Sequence, residues 1–329
     1  MTEIGSTTSA GRAYVSNSYS DTVSVIDTVT NAVIATIGFD DAPRKPTASA
    51  DNAGTVDLAH GLVNPTVSPD GQHVYVAKSI GGGIAVIDVE TNVVTTVVDA
   101  GGPKPSGLVF TCDGERLVVT LLGPTVDAPG AVTVIDCTTG VVASPVPVGA
   151  QPERVALSPD GRHAYVVSLH SKSLSVFDVD ARAVVATIAL PGELPFNLLV
   201  APDGERVYVG EVRSNSLAVI DTRSQEVVGG IDVPSPNGIA FGPDHRSIYV
   251  TSVFDDSVNV VDIDAGKVVR SGDVGEKPGY LALTNDGARA YFVRPFGETI
   301  SVMDTETLTV VDTITVGKGP SVVTIRDGD

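Results

Sequence analysis

The chain of 329 residues has no tryptophan, two methionines, two cysteines and an aromatic content of only 5%. Two cysteines, Cys112 and Cys137, are too few for a disulfide framework and lack metal-ligand spacing, so free thiols are expected. Lysine and arginine together number 21 against 40 acids, a net charge of -19. Affinity for nucleic acid comes largely from cations that displace phosphate counterions, so no nucleic-acid partner is expected. No run approaches the roughly 18 apolar residues of a membrane helix. The first residues, Met1-Thr2-Glu3-Ile4-Gly5-Ser6, lack the basic head and apolar run of a secretory signal, so the expectation is a cytoplasmic chain with no membrane partner. Also missing are a Gly-x-Gly-x-x-Gly turn, a phosphate-binding Gly-Lys-Ser/Thr loop and a Gly-x-Ser-x-Gly elbow, which argues against nucleotide cofactors and a hydrolase triad.

What remains is 42% hydrophobic and 19% charged, the balance of a folded globular chain. Its organisation is periodic. An aromatic strand core recurs as Tyr14-Val15, Tyr75-Val76, Tyr165-Val166, Tyr208-Val209, Tyr249-Val250 and Tyr291-Phe292, with Val118-Val119 as a Tyr-less copy. Downstream of each comes an alternating run ending in aspartate: Asp27, Asp88, Asp136, Asp178, Asp221, Asp262 and Asp304, spaced 61, 48, 42, 43, 41 and 42 residues apart. Within a unit, four short alternating runs are separated by Gly, Pro, Asn and Asp turns such as Ser68-Pro69-Asp70-Gly71, with no helical periodicity.

Seven four-stranded antiparallel units of this size predict an all-β, seven-bladed β-propeller occupying 1–329 as a single domain. Blade 1 is read as 11–38 plus 319–328, followed by an insert at 39–63. Blades 2 to 7 are read as 64–99, 106–147, 152–189, 196–233, 237–274 and 279–316. Unit one lacks its own first strand, whereas Gly319-Pro320-Ser321-Val322-Val323-Thr324-Ile325 matches the inner-strand run Gln151–Leu157. The C-terminal strand is therefore expected to complete blade 1 and close the ring.

On Tyr14-Val15-Ser16-Asn17, Tyr249-Val250-Thr251-Ser252, Thr22-Val23-Ser24-Val25-Ile26-Asp27 and the Ser-Pro-Asp-Gly turns, the chain resembles the YVTN family of propeller repeats over essentially its whole length. Without tryptophan it carries no Trp-Asp signature of the other common propeller class. The resemblance implies the fold; its members range over surface-layer proteins, binding scaffolds and enzymes.

The repeat itself accounts for 13 of the 40 acids, seven ending third strands and six in Pro-Asp-Gly-type turns, where aspartate is expected to accept backbone hydrogen bonds. It also accounts for six of the eight tyrosines. Left over are Tyr19, Tyr280, Phe39, Phe196, Phe254 and Phe296, all on the face formed by inter-blade connections and second-to-third-strand loops. Three positions on that face vary from blade to blade. The residue three after the repeat tyrosine reads Asn17, Lys78, Leu121, Ser168, Glu211, Ser252 and Arg294. Two further on it reads Tyr19, Ile80, Gly123, His170, Arg213, Phe254 and Phe296, and the start of the innermost strand reads Asn64, Gly107, Arg154, Asn197, Gly238, Tyr280 and Val322.

Aromatics mixed with both charges at one channel mouth suit a small organic substrate and proton transfer. The expectation is therefore a cofactor-independent acid–base enzyme of lyase, cyclase, isomerase or hydrolase type. Glu211, His170, His60, Arg154 and Tyr280 are its candidate catalytic residues. Asn17, Tyr19, Asn64, Lys78, Phe196, Asn197, Arg213, Phe254, Arg294 and Phe296 are its candidate substrate contacts. His60 lies in the insert, read as a lid. The alternatives are a non-catalytic scaffold for a peptide, glycan or protein, and a surface-layer-type module. No His-x-His or His-Glu-x-x-His spacing supports a transition-metal site, while carboxylates from several loops leave Ca²⁺ or Mg²⁺ open.

Overall fold

The computed structural model describes residues 11–39, 62–326 and 328, and every structural statement below concerns these. His60 and nearly all of the insert lie outside them.

Alternation of β-branched and small residues produces 28 strands and no helix among the described residues, gathered into seven four-stranded antiparallel sheets. In every blade the two repeat motifs meet in register across the second and third strands. Tyr14 opposes Val25, Tyr75 opposes Val86, Val118 opposes Val134 and Tyr291 opposes Val302, and blades 4 to 6 follow the same register. The blade repeat is thus a repeat of cross-strand pairs, each putting an aromatic or branched side chain against a branched one.

Blade 1 is built from both chain ends. Pro320–Arg326 pairs with Arg12–Asn17, followed outward by Thr22–Asp27 and Ala32–Gly38, so the chain closes its own ring.

Apolar side chains cluster between blades rather than within them. One cluster joins Tyr14, Val25 and Phe39 of blade 1 to Val74 and Ile87 of blade 2; another joins Val15 and Val323 of blade 1 to Tyr291 and Ile300 of blade 7. Each such large side chain contributes roughly 1.5–3 kcal/mol on full burial, so the stability of one blade depends on its neighbours.

All 13 repeat aspartates accept backbone N–H bonds. Asp27 takes Val29 N and Thr30 N at 3.0 and 2.8 Å, and Asp70 takes Gln72 N at 3.0 Å. The other eleven follow one pattern or the other. Cys112 and Cys137 are free thiols, and burial pushes the Cys137 thiol up to about 11.

Blade 3 departs from the pattern at its rim. A single bridge, Ile135 to Val142, precedes an interruption, and the outer strand resumes at Val146–Ala150. Pro145 and Pro147 supply no backbone donors there.

Candidate functional site: the axial cavity

The inner strands of all seven blades begin at the same end of the channel. In blades 3 to 6 each start is a left-handed residue followed by proline: Lys104 (φ 54°), Gln151 (57°), Leu194 (58°) and Ser235 (30°) precede Pro105, Pro152, Pro195 and Pro236. The pairing register then slips by one residue. Pro152 opposes Ser168 but Arg154 opposes Val167, leaving Glu153 extra; blades 3, 5 and 6 slip in the same way. A bulge breaks the alternation of a strand and re-aims side chains. Here it lets two successive residues, Glu153 and Arg154, line one cavity.

That cavity, about 60 Å³ for water-sized occupants, is walled by inner-strand starts from all seven blades. Asn64, Ser106, Glu153, Arg154, Phe196, Asn237, Tyr280 and Ser321 contribute, with Val253, Val293, Pro295 and Phe296 from the second strands and the loops after them. It therefore lies on the propeller axis, on the face of the second-to-third-strand loops.

Arg154 of blade 4 crosses the mouth to Tyr280 of blade 7. Its Nε donates to Tyr280 Oη at 2.8 Å, and its guanidinium carbon sits 3.8 Å from the ring centroid. Phe196 packs against Tyr280, 5.5 Å between ring centroids with the rings tilted by 39°. Desolvation pushes the Tyr280 hydroxyl up to about 12, with Arg154 opposing, so it stays a proton donor at neutral pH.

Glu153 is buried. Its Oε1 accepts from Gln151 Nε2 at 3.1 Å and its Oε2 from Ser106 Oγ at 3.3 Å. Desolvation raises its pKa, and the Gln151 bond, the Arg154 charge, Ser106 and His170 only partly offset this. A carboxyl biased toward its protonated form thus stands beside a cation and a phenol.

Five of the residues expected from sequence meet at this cavity: Arg154, Tyr280, Asn64, Phe196 and Phe296. Asn64 is buried with φ 48° and donates through Nδ2 to Ser106 O at 2.9 Å. Phe296 is 59% exposed, with Lys277 Nζ 4.9 Å from its ring centroid.

The others lie elsewhere on that face. Glu211 is buried, but its Oε1 accepts from Gly192 N at 2.8 Å and its Oε2 from Ser216 Oγ at 2.7 Å. It holds the connection from blade 4 to blade 5 instead of lining the cavity. Arg294 does the equivalent in blade 7, donating to Val274 O and Glu276 O at 2.6 Å each and to Ser301 Oγ at 2.9 Å. Asn17 bonds inside blade 1 to Thr22 and Ser24. Lys78 stands 6.0 Å from the centroid of the Phe39 ring, which belongs to the core between blades 1 and 2.

Asn197 is buried and accepts from Leu198 N at 2.9 Å. His170 is exposed, its Nδ1 3.4 Å from Asp127 Oδ1 on the blade 3 loop. Arg213 is exposed on the blade 5 loop, Phe254 is 57% exposed, and Tyr19 lies against Gly319. The residue that sequence reasoning missed is Glu153. Its signal was an acid directly after the repeated inner-strand proline, a ring position that also reads Ser106, Phe196, Asn237, Gly279 and Ser321.

Among the described residues no three His, Cys, Asp or Glu side chains gather as a metal site.

Fold and cavity together define a seven-bladed β-propeller with a small polar centre at one axial mouth. No family model and no curated protein matches the chain. Solved structures do. A functionally unknown protein from Desulfotomaculum acetoxidans DSM 771 is 16% identical at TM-score 0.79, over 97% of this chain and 99% of that one. Kuenenia stuttgartiensis hydrazine synthase is 21% identical at TM-score 0.69, over 82% of this chain and 91% of that one. At these identities the likeness is one of fold.

Proposed function

We propose that this propeller binds a small organic molecule in its axial cavity and moves a proton within it, Glu153 being the group that carries the proton. The observation that supports this most is the bulge that sets buried Glu153 next to Arg154 and across from Tyr280. A buried carboxyl whose pKa is raised by desolvation is suited to general acid–base work, and a guanidinium beside it stabilises negative charge that develops on a substrate. The reading needs no resident cofactor, and it replaces Glu211 and His170 by Glu153 as the acid–base group. The YVTN-type repeat belongs to the same proposal, supported by Tyr14-Val15-Ser16-Asn17 and the Ser-Pro-Asp-Gly turns.

The test is a thermal-shift screen of small anionic, neutral and cationic metabolites against the full chain and an Asn237→Phe variant that fills the cavity. Hits that stabilise the native chain and lose their effect in the filled variant support the site. Hits that act equally on both place binding elsewhere and overturn it.

A second reading, a scaffold gripping a peptide, glycan or protein, is favoured by Phe254 and Phe296, both more than half exposed on the same face.

A further inference from the structure

Taking the axial cavity as the ligand site, two of its wall residues, Arg154 and Tyr280, keep donor hydrogens with no protein acceptor among the described residues. Arg154 uses Nε on Tyr280, and neither of its terminal nitrogens meets a protein acceptor among the described residues. Tyr280 Oη accepts that bond, and its own proton has no protein acceptor among the described residues. Glu153, by contrast, is already satisfied by Gln151 and Ser106. Two guanidinium nitrogens and a hydroxyl are therefore left facing a small space whose remaining wall is mostly apolar: Phe196, Val253, Val293, Pro295 and Val322. A small oxyanion that offers two oxygens side by side, a carboxylate or a phosphate, matches the guanidinium fork.

We propose that the cavity binds a small organic monocarboxylate, its oxygens held by the terminal nitrogens of Arg154 and the Tyr280 hydroxyl, and its apolar end against Phe196 and Val253. Charge balance favours one negative charge over two. Arg154 is the one cation on the cavity wall among the described residues, and burial biases the Glu153 carboxyl beside it toward its neutral form, so a phosphate dianion would bring one charge too many into an apolar surround. Size agrees. A cavity of about 60 Å³ has room for roughly four to six waters, which suits a short-chain acid or the carboxylate end of a longer one. The chain's overall charge of -19 acts against an anion only at long range. At about 0.15 M salt the Debye length is about 8 Å, so the half-buried guanidinium dominates at contact.

This inference rests on the cavity being the site, and the experiment separates the two. Butyrate, butyramide and butylammonium share a shape and differ in charge. Each is titrated into the full chain at pH 7, following the methyl resonances of Val253, Val293 and Val322 by NMR. Butyrate is expected to saturate and to bind at least about tenfold tighter than butyramide, with butylammonium silent. Arg154→Gln should weaken butyrate about tenfold or more and leave butyramide unchanged. Arg154→Lys, which keeps the charge and loses the fork, should fall between.

If butyramide or butylammonium shifts the cavity methyls at equal or lower concentration than butyrate, the carboxylate inference is overturned and the site stands. If Arg154→Gln and Arg154→Lys both bind butyrate like the native chain, the inference is overturned as well. If none of the three probes moves those methyls, the site falls with it.

Discussion

Arg154 and Tyr280, 126 residues apart in sequence, meet across the propeller axis with Nε 2.8 Å from Oη. They belong to blades 4 and 7, so their contact spans the channel and couples two blades that share no sheet. A hydrogen bond to a charged donor contributes about 1.5–3 kcal/mol when well buried, and this partly solvated one belongs at the low end. Tyr280→Phe, which keeps the ring against the guanidinium, is expected to cost about 1 kcal/mol. In a double-mutant cycle with Arg154→Ala the pair should couple by about 0.5 kcal/mol or more. Urea denaturation of the four proteins reads this, and additive losses would show that the two side chains are neighbours without interaction.

Glu153 sets a stability term of opposite sign to the one usual for carboxylates. Burial raises its pKa in the folded state above the ordinary value of 4.5. Between 4.5 and that raised value the folded chain holds a proton the unfolded chain has lost, so this group stabilises the fold as pH falls and destabilises it as pH rises. Glu153→Gln removes the charge and keeps the shape. The variant is expected to melt above the native chain at pH 7–8 and to lose that advantage as pH drops toward 4.5. A melting temperature raised equally at both pH values would trace the gain to packing and not to ionisation.

The turn aspartates act the other way. Asp27, Asp70, Asp88, Asp113, Asp136, Asp160, Asp221, Asp244, Asp286 and Asp304 all sit below the ordinary 3.8. For most of them backbone and side-chain hydrogen bonds to the carboxylate are the largest cause. Their contribution is fully present above 3.8 and is lost as pH falls through the lower folded values. Acid unfolding is expected to begin below about pH 4, in one transition, because the turns recur in every blade. Circular dichroism melts from pH 5 to 2 check this; a stability flat to pH 2 would show that the turns contribute nothing.

The fold was legible because the chain repeats paired motifs: Tyr-Val and Val-Ile-Asp lie opposite each other in the same register blade after blade. The site was legible only in part, for two physical reasons. Strict alternation allows one inward residue where the bulge after Pro152 provides two, and so Glu153 stayed hidden behind Arg154. The variation at Asn17, Glu211, Ser252 and Arg294 resembled specialised chemistry. In blades 5 to 7 its cause is that each blade end fastens a differently sequenced connection: Glu211 to Gly192 N, Ser252 to Pro234 O and Arg294 to Val274 O.

That reassignment makes Glu211 a test case. Glu211→Ala leaves Gly192 N without its acceptor in a place where a Cβ on Gly192 would already collide with the Glu211 carboxylate. Stranding a buried donor costs about 1–3 kcal/mol, so the variant should be destabilised by that amount. Ligand binding measured at the Val253 and Val293 methyls should be unchanged. Lost binding with native stability would return Glu211 to the site.

The closing strand carries the most severe expectation. Val322 opposes Ser16, Val323 opposes Val15 and Thr324 opposes Tyr14, and both valines are buried, Val323 within the cluster that joins blades 7 and 1. Removing 319–329 exposes the backbone edge of Arg12–Asn17 and opens the cluster around Tyr291. Two buried valines alone are worth roughly 3–6 kcal/mol, before the lost ladder is considered. The truncated chain is expected to melt roughly 10 °C lower or to lose its cooperative transition. Because the loss is of a strand and not of a covalent link, a synthetic peptide of residues 319–329 added in excess should recover part of it by pairing at the vacant edge. A truncated chain that melts like the native one would mean that blade 1 stands on three strands and the ring does not depend on its terminal closure.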